Sequence, residues 1–179
     1  NYLDMATAQV RFPDLGLDLA QISRVTISAC GTAYYAGLVA KYWIERYARV
    51  PVDIDVASEM RYREAPLQEN GLAVFVSQSG ETADTLASLR YCKANKQRIA
   101  SIVNVRTSTI ARESDAALPT LAGPEIGVAS TKAFTCQLSV LACLAIAIAK
   151  ARGAITKEQE IALVTALTEV PRHIAAILR

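Results

Sequence analysis

The apolar run Val74-Phe75-Val76 passes directly into Ser77-Gln78-Ser79-Gly80, and a helical pattern through Leu86 and Leu89 starts a few residues later. No other stretch constrains the fold as strongly. A buried strand, a tight turn of small polar residues and a helix start, all within residues 74–89, make the first half of a strand–helix crossover. The free N–H groups of a helix's first turn and the positive end of its dipole point back into such a turn, which makes it receptive to an anion. Residues 77–85 contain no Lys or Arg. Hydroxyls and dipoles would have to hold the anion, and a small phosphate suits that better than a long polyanion.

The rest of the chain repeats the pattern. Residues 24–29 read as a strand ending in the turn Cys30-Gly31-Thr32, and residues 33–47 as a helix stopped by Pro51. Residues 52–56 alternate with Asp53 and Asp55, as an edge strand does. Strands are further predicted at 72–76, 99–103 and 116–120, and helices at 57–62, 82–93 and 108–113. A long helix over 131–151 is expected to be capped by Ser130 and ended by Gly153. Thr156 with Gln159 forms a capping-box pattern for a last helix, which Pro171 either kinks or restarts. Residues 1–19 have no clean period and read as an approach segment. Strands separated by helical runs imply a mostly parallel sheet covered on both faces. Ligands in such folds bind outside the carboxyl ends of the strands. The turns at 30–32, 77–82 and 128–130 are therefore expected to converge on one pocket.

Composition narrows the function classes. With 179 residues, 52% hydrophobic and 20% charged, the chain can bury a core and is not disordered by default. A net charge of +2 from 19 basic and 17 acidic residues argues against nucleic acid as a partner. The four cysteines, Cys30, Cys92, Cys136 and Cys143, show no ligand spacing, and His173 is the single histidine, so no metal site is expected. The cysteines read as buried thiols of a reducing compartment. Residues 133–149 are apolar but contain Thr135, Gln137 and Ser139, which favours a buried helix over a membrane span.

Taken singly, Ser77, Ser79 and Thr82 fit ordinary turn and cap chemistry; as a cluster behind a strand they fit an anion site equally well. Gln78 can offer a carbonyl and an amide to a ligand hydroxyl or can brace the loop. Thr32 is a second hydroxyl donor or a helix cap. Glu59 and Arg61 read as a surface or interface ion pair, Glu81 as a first-turn helix stabiliser rather than a base, Lys132 as a solvent or phosphate contact, and His173 as a surface residue.

Five segments carry a family resemblance: SACGTAYYAG at 28–37, ASEMRYR at 57–63, SQSGETADTL at 77–86, RESD at 112–115 and EIGVASTKAFTCQL at 125–138. Together they resemble the first sugar isomerase (SIS) domain of the bacterial glutamine–fructose-6-phosphate aminotransferases (isomerizing), the glucosamine-6-phosphate synthases. The resemblance implies a flavodoxin-like three-layer α/β/α sandwich around a five-stranded parallel sheet. It divides the chain into an approach segment (1–24), a phosphosugar-binding domain (25–152) and a helical segment (153–179) leading to a second SIS domain. It further implies that fructose 6-phosphate or glucosamine 6-phosphate is bound, with the phosphate at Ser77, Ser79 and Thr82, Gln78 beside it, Thr32 at the pocket, and Val128 and Ser130 on the sugar side. Ala33 stands where many relatives carry a serine. The catalytic glutamate, histidine and lysine would lie in the second SIS domain and a C-terminal tail, the histidine coming from the neighbouring subunit, and ammonia would come from a glutaminase domain. The resemblance implies no metal or organic cofactor and a homodimer or larger assembly; the charge balance, the polar residues within 133–149 and the cysteines lead to the further expectation of a cytoplasmic protein with neither nucleic acid nor membrane as partner. A phosphosugar sensor and another phosphosugar isomerase are the alternative functions.

Overall fold

The computed structural model describes residues 2–12, 15–127 and 130–178. Its centre is a five-stranded sheet in the order β4-β3-β5-β6-β7, with every pairing parallel. The strands are β3 (Arg24–Ala29), β4 (Val52–Val56), β5 (Gly71–Ser77), β6 (Arg98–Val103) and β7 (Ala116–Pro119). A two-stranded antiparallel hairpin, β1 (Leu3–Asp4) with β2 (Gln9–Val10), precedes them. The helices are α1 (Gly31–Trp43), α2 (Ala57–Arg63), α3 (Ala83–Ala94), α4 (Thr109–Glu113), α5 (Lys132–Ala151) and α6 (Lys157–Ile177), and α1 runs on as a π-turn over Ile44–Ala48.

Side-chain alternation along the strands builds two cores. Ile27, Val74, Val76 and Ile102 face α1 and α5, where Ala36, Ala40, Leu141 and Leu144 meet them. Ala73, Phe75, Ile99 and Val103 face the other way, onto Met60, Leu89 and Ile110 of α2, α3 and α4. Every residue of β5 is buried, as expected for a central parallel strand, and the alternating β4 lies at the sheet edge. Helix α5 is long and apolar enough to span a bilayer, but 56% of its apolar window is buried inside the protein.

The approach segment is more ordered than its aperiodic sequence suggests. Tyr2 stacks on Phe12 with ring centroids 4.9 Å apart, and the hairpin packs on Cys143, Ile146 and Val164. The capping box at Thr156 and Gln159 is present, and α6 continues through Pro171 without a break. From Glu169 to Leu178 this helix is exposed.

Three expectations are corrected. Arg61 pairs with Asp84 at 2.9 Å rather than with Glu59, because α2 lies against the start of α3. Only Cys92 and Cys143 are buried; Cys30 and Cys136 are half-buried. Finally, α5 is not capped by Ser130. Its first-turn N–H groups are taken by Glu125, whose carboxylate accepts from the backbone N–H of Thr131 at 3.1 Å and of Ala133 at 2.9 Å.

Candidate functional site

At the carboxyl ends of β3 and β5 the chain turns into α1 and α3, and both turns use glycine in the left-handed region. Gly31 has φ +57° and Gly80 φ +67°. At Gly80 a Cβ would run into the Ser108 side chain. That contact seats the 77–80 turn on the start of α4, where the Ile110 N–H donates to the Gly80 carbonyl at 3.1 Å.

Within this turn Ser77 Oγ accepts the Gly80 N–H at 3.0 Å and lies 3.3 Å from Thr82 Oγ1. Ser79 Oγ accepts the Glu81 N–H at 3.2 Å. The Gln78 carbonyl accepts the Asn104 N–H at 3.1 Å, which ties the turn to the end of β6. Glu81 is turned away from the crevice: its carboxylate accepts the Thr109 N–H at 2.7 Å, and that bond holds its carboxyl below the usual range. It stabilises the start of α4 and is not poised as a base.

These turns enclose a crevice of about 430 Å³. Thr32, Ser77, Gln78, Ser79, Thr82 and Ser130 all border it, so six of the seven sequence-predicted site residues come together. The seventh, Val128, lies outside the described residues. Cys30 and Thr82 are the N-cap residues of α1 and α3, and neither side chain makes a capping bond. Two helix N-termini therefore open toward the same space. No charged side chain borders it among the described residues; Lys132 and His173 are not part of it.

Three bordering residues were missed as site candidates. Cys30 reads in the sequence as a buried thiol, whereas it is half-buried. Thr85 and Gln137 are each 1% exposed, and Thr85 Oγ1 and Gln137 Oε1 find no partner among protein atoms. Gln137 carried a signal in the sequence, a lone amide within an otherwise apolar helix stripe. Ala33 also borders the crevice.

An all-parallel α/β sheet with hydroxyls and two open helix N-termini at its carboxyl edge defines a class of α/β domains with an anion-receptive crevice. The chain belongs to the SIS domain family, whose model matches residues 18–147. It is 66% identical over all 179 residues to a glutamine–fructose-6-phosphate aminotransferase (isomerizing) of Brucella abortus, covering 30% of that relative. It is 61% identical over 178 residues to the Zymomonas mobilis enzyme of the same name, 99% of this chain and 29% of the relative. The chain thus spans about 30% of the length of the curated relatives it matches. Among solved structures, the C-terminal domain of a glucosamine-fructose-6-phosphate aminotransferase from Francisella tularensis superposes with TM-score 0.86 at 45% identity, over 93% of this chain and 47% of that one. A glucosamine-6-phosphate deaminase from Thermotoga maritima does so with TM-score 0.68 at 30% identity, over 83% and 46%.

Proposed function

We propose that this chain is the phosphosugar-binding part of an isomerase region that converts fructose 6-phosphate and glutamine-derived ammonia into glucosamine 6-phosphate. One observation carries the reading. Ser77, Ser79 and Thr82 share a crevice with the uncapped N-termini of α1 and α3. A phosphate there would receive hydroxyl and backbone N–H bonds without a cation. A crevice of about 430 Å³ also leaves room for a sugar beside its phosphate. Gln78, Thr32 and Ser130 are then available to the sugar hydroxyls, with Val128 on the same rim.

In this reading the domain contributes binding and orientation, which hold the reacting carbonyl in register with groups supplied elsewhere. None of its residues is assigned an acid–base role. It is the first of two SIS domains in a cytoplasmic, dimeric enzyme, with 25–152 as the phosphosugar domain, 1–24 as its approach and 153–179 leading onward. Glutaminase and second SIS domains are the partners within the longer chain, and no cofactor is used.

Calorimetric titration of the folded chain with fructose 6-phosphate, against fructose and inorganic phosphate, tests this. Binding strongest for the ligand that combines sugar and phosphate is expected. Equal binding of fructose and fructose 6-phosphate would remove the phosphate grip from the reading.

A further inference from the structure

We propose that Cys30 is a covalent-modification site inside the crevice, and that a soft electrophile on its sulfur and a phosphate ester in the crevice exclude one another. The identity of the excluded ligand rests on the phosphosugar reading; the placement of the thiol rests on the geometry alone.

Cys30 closes β3 and stands at the N-cap of α1, yet its side chain makes no capping bond. It is half-buried and borders the crevice next to Gly31, on the wall shared with Ser77. The other thiols are placed differently. Cys92 and Cys143 are 0% and 3% exposed, and burial pushes them up to about 12 and about 11. Their reactive thiolate forms are correspondingly scarce at neutral pH. Cys136 is half-buried on α5 but does not border the crevice.

A second feature marks the crevice as built for a guest. Thr85 and Gln137 border it from α3 and α5, both 1% exposed, and Thr85 Oγ1 and Gln137 Oε1 have no partner among protein atoms. Buried polar groups left unpaired are costly. Their presence at the wall fits a space that a polar ligand fills and apolar packing does not. No carboxylate borders the space among the described residues, so neither an anionic ligand nor a thiolate meets a like charge there. Thiol and ligand therefore draw on the same open volume.

With iodoacetamide as probe the step is a simple displacement. The thiol proton goes to solvent, the sulfur attacks the methylene carbon, the S–C bond forms as the C–I bond breaks, and iodide leaves. The added carbamidomethyl group stands in the space beside the α1 N-terminus that a phosphate would use.

The test is a time course of iodoacetamide labelling on the folded chain, read peptide by peptide by mass spectrometry. It is run alone and with fructose, inorganic phosphate or fructose 6-phosphate, with a calorimetric titration in parallel. Cys30 is expected to label at least about tenfold faster than Cys92 and Cys143. Fructose 6-phosphate should slow Cys30 and leave Cys136 unchanged, and prelabelled chain should lose the heat of phosphosugar binding. A Cys136→Ser variant should label at Cys30 as before, and Cys30→Ser should remove the protectable label. Labelling of Cys30 no faster than of the two buried thiols overturns the inference, as does Cys30 labelling unaffected by fructose 6-phosphate at calorimetric saturation. Binding heat with an inert Cys30 sinks the thiol assignment and leaves the phosphosugar reading standing. Fast Cys30 labelling without binding heat supports the thiol placement and counts against that reading.

Discussion

The Glu125 carboxylate accepts the backbone N–H of Ala133 at 2.9 Å, and so closes the N-terminus of α5 from a position eight residues upstream. Its other oxygen accepts from the Thr131 N–H at 3.1 Å and the Thr131 hydroxyl at 3.0 Å. Glu125 is thereby tied to Thr131 and Ala133 just beyond Ser130, and Ser130 borders the crevice. A negative charge at a helix N-terminus is favourable in its own right.

Replacing Glu125 with Ala is expected to loosen Ser130 and the start of α5 and raise the dissociation constant for fructose 6-phosphate by about three- to tenfold, since a preorganised contact adds affinity. Glu125→Gln, which keeps one acceptor, should lie between the two in calorimetry. The pH dependence has a definite sign. The bonds from Thr131 and Ala133 hold the Glu125 carboxyl below its ordinary value in the folded state. The stabilisation is therefore present above the unfolded-state pKa and is lost as pH falls through the depressed folded one. The difference in Tm between the natural chain and Glu125→Gln should be constant near neutrality and shrink below about pH 4.5. A difference that grows on acidification would contradict the clamp.

Ser79 offers a test of the phosphate grip that spares the fold. Its hydroxyl makes one local bond, accepting the Glu81 N–H at 3.2 Å. Ser79→Ala should weaken phosphosugar binding by about 1.5–3 kcal/mol, the usual loss for a hydrogen bond to a charged group. Thermal stability should change little. Unaltered affinity in calorimetry would take Ser79 out of the proposed site.

Gly80 tests the turn itself. Alanine there must hold φ +67° and place its Cβ against Ser108. The left-handed conformation alone costs roughly 1–2 kcal/mol, and the collision adds to it. Gly80→Ala should therefore lower the urea midpoint and weaken phosphosugar binding together. Unchanged stability would mean that the turn relaxes freely and does not hold Ser77 and Ser79 in place.

The sequence made some of this architecture plain and hid the rest. β3 and β5, whose carboxyl ends bound the crevice, were legible because they are buried almost throughout and pass within a few residues into helix starts. Ser77, Ser79 and Thr82 stood out because they sit where a strand ends. Thr85 did not, because nothing local separates a hydroxyl facing a crevice from one facing water or satisfied within the core; Gln137 offered only its lone amide on an apolar helix stripe. The Glu125 clamp was missed for another reason: a capping box places its partners three residues apart, whereas Glu125 reaches Ala133 across eight. The β1–β2 hairpin has two residues in each strand, too few to show a period, and its position depends on contacts with α5 and α6 that are remote in sequence.

One of those contacts gives the last prediction. Glu160 on α6 is 2% exposed, and its Oε1 accepts both the Val10 N–H at 3.0 Å and the Lys150 ammonium at 3.0 Å. A single carboxylate oxygen thus joins the N-terminal hairpin, the end of α5 and the start of α6. Lys150 is 47% exposed in its side chain and can turn to water if the acid is removed. The Val10 amide, buried with the hairpin, cannot. Glu160→Ala should cost about 1–3 kcal/mol, mainly as the desolvation of that stranded donor. Glu160→Gln should cost less, because its amide oxygen can still accept from Val10. In urea denaturation the two outcomes are separable. A lower midpoint at constant slope means the hairpin stays docked and the whole domain is weaker; a reduced slope means the hairpin has already opened in the native state. Hydrogen exchange at Val10 would accelerate in either case. Slow exchange at Val10 in the alanine variant would show that Glu160 is not what holds the hairpin down.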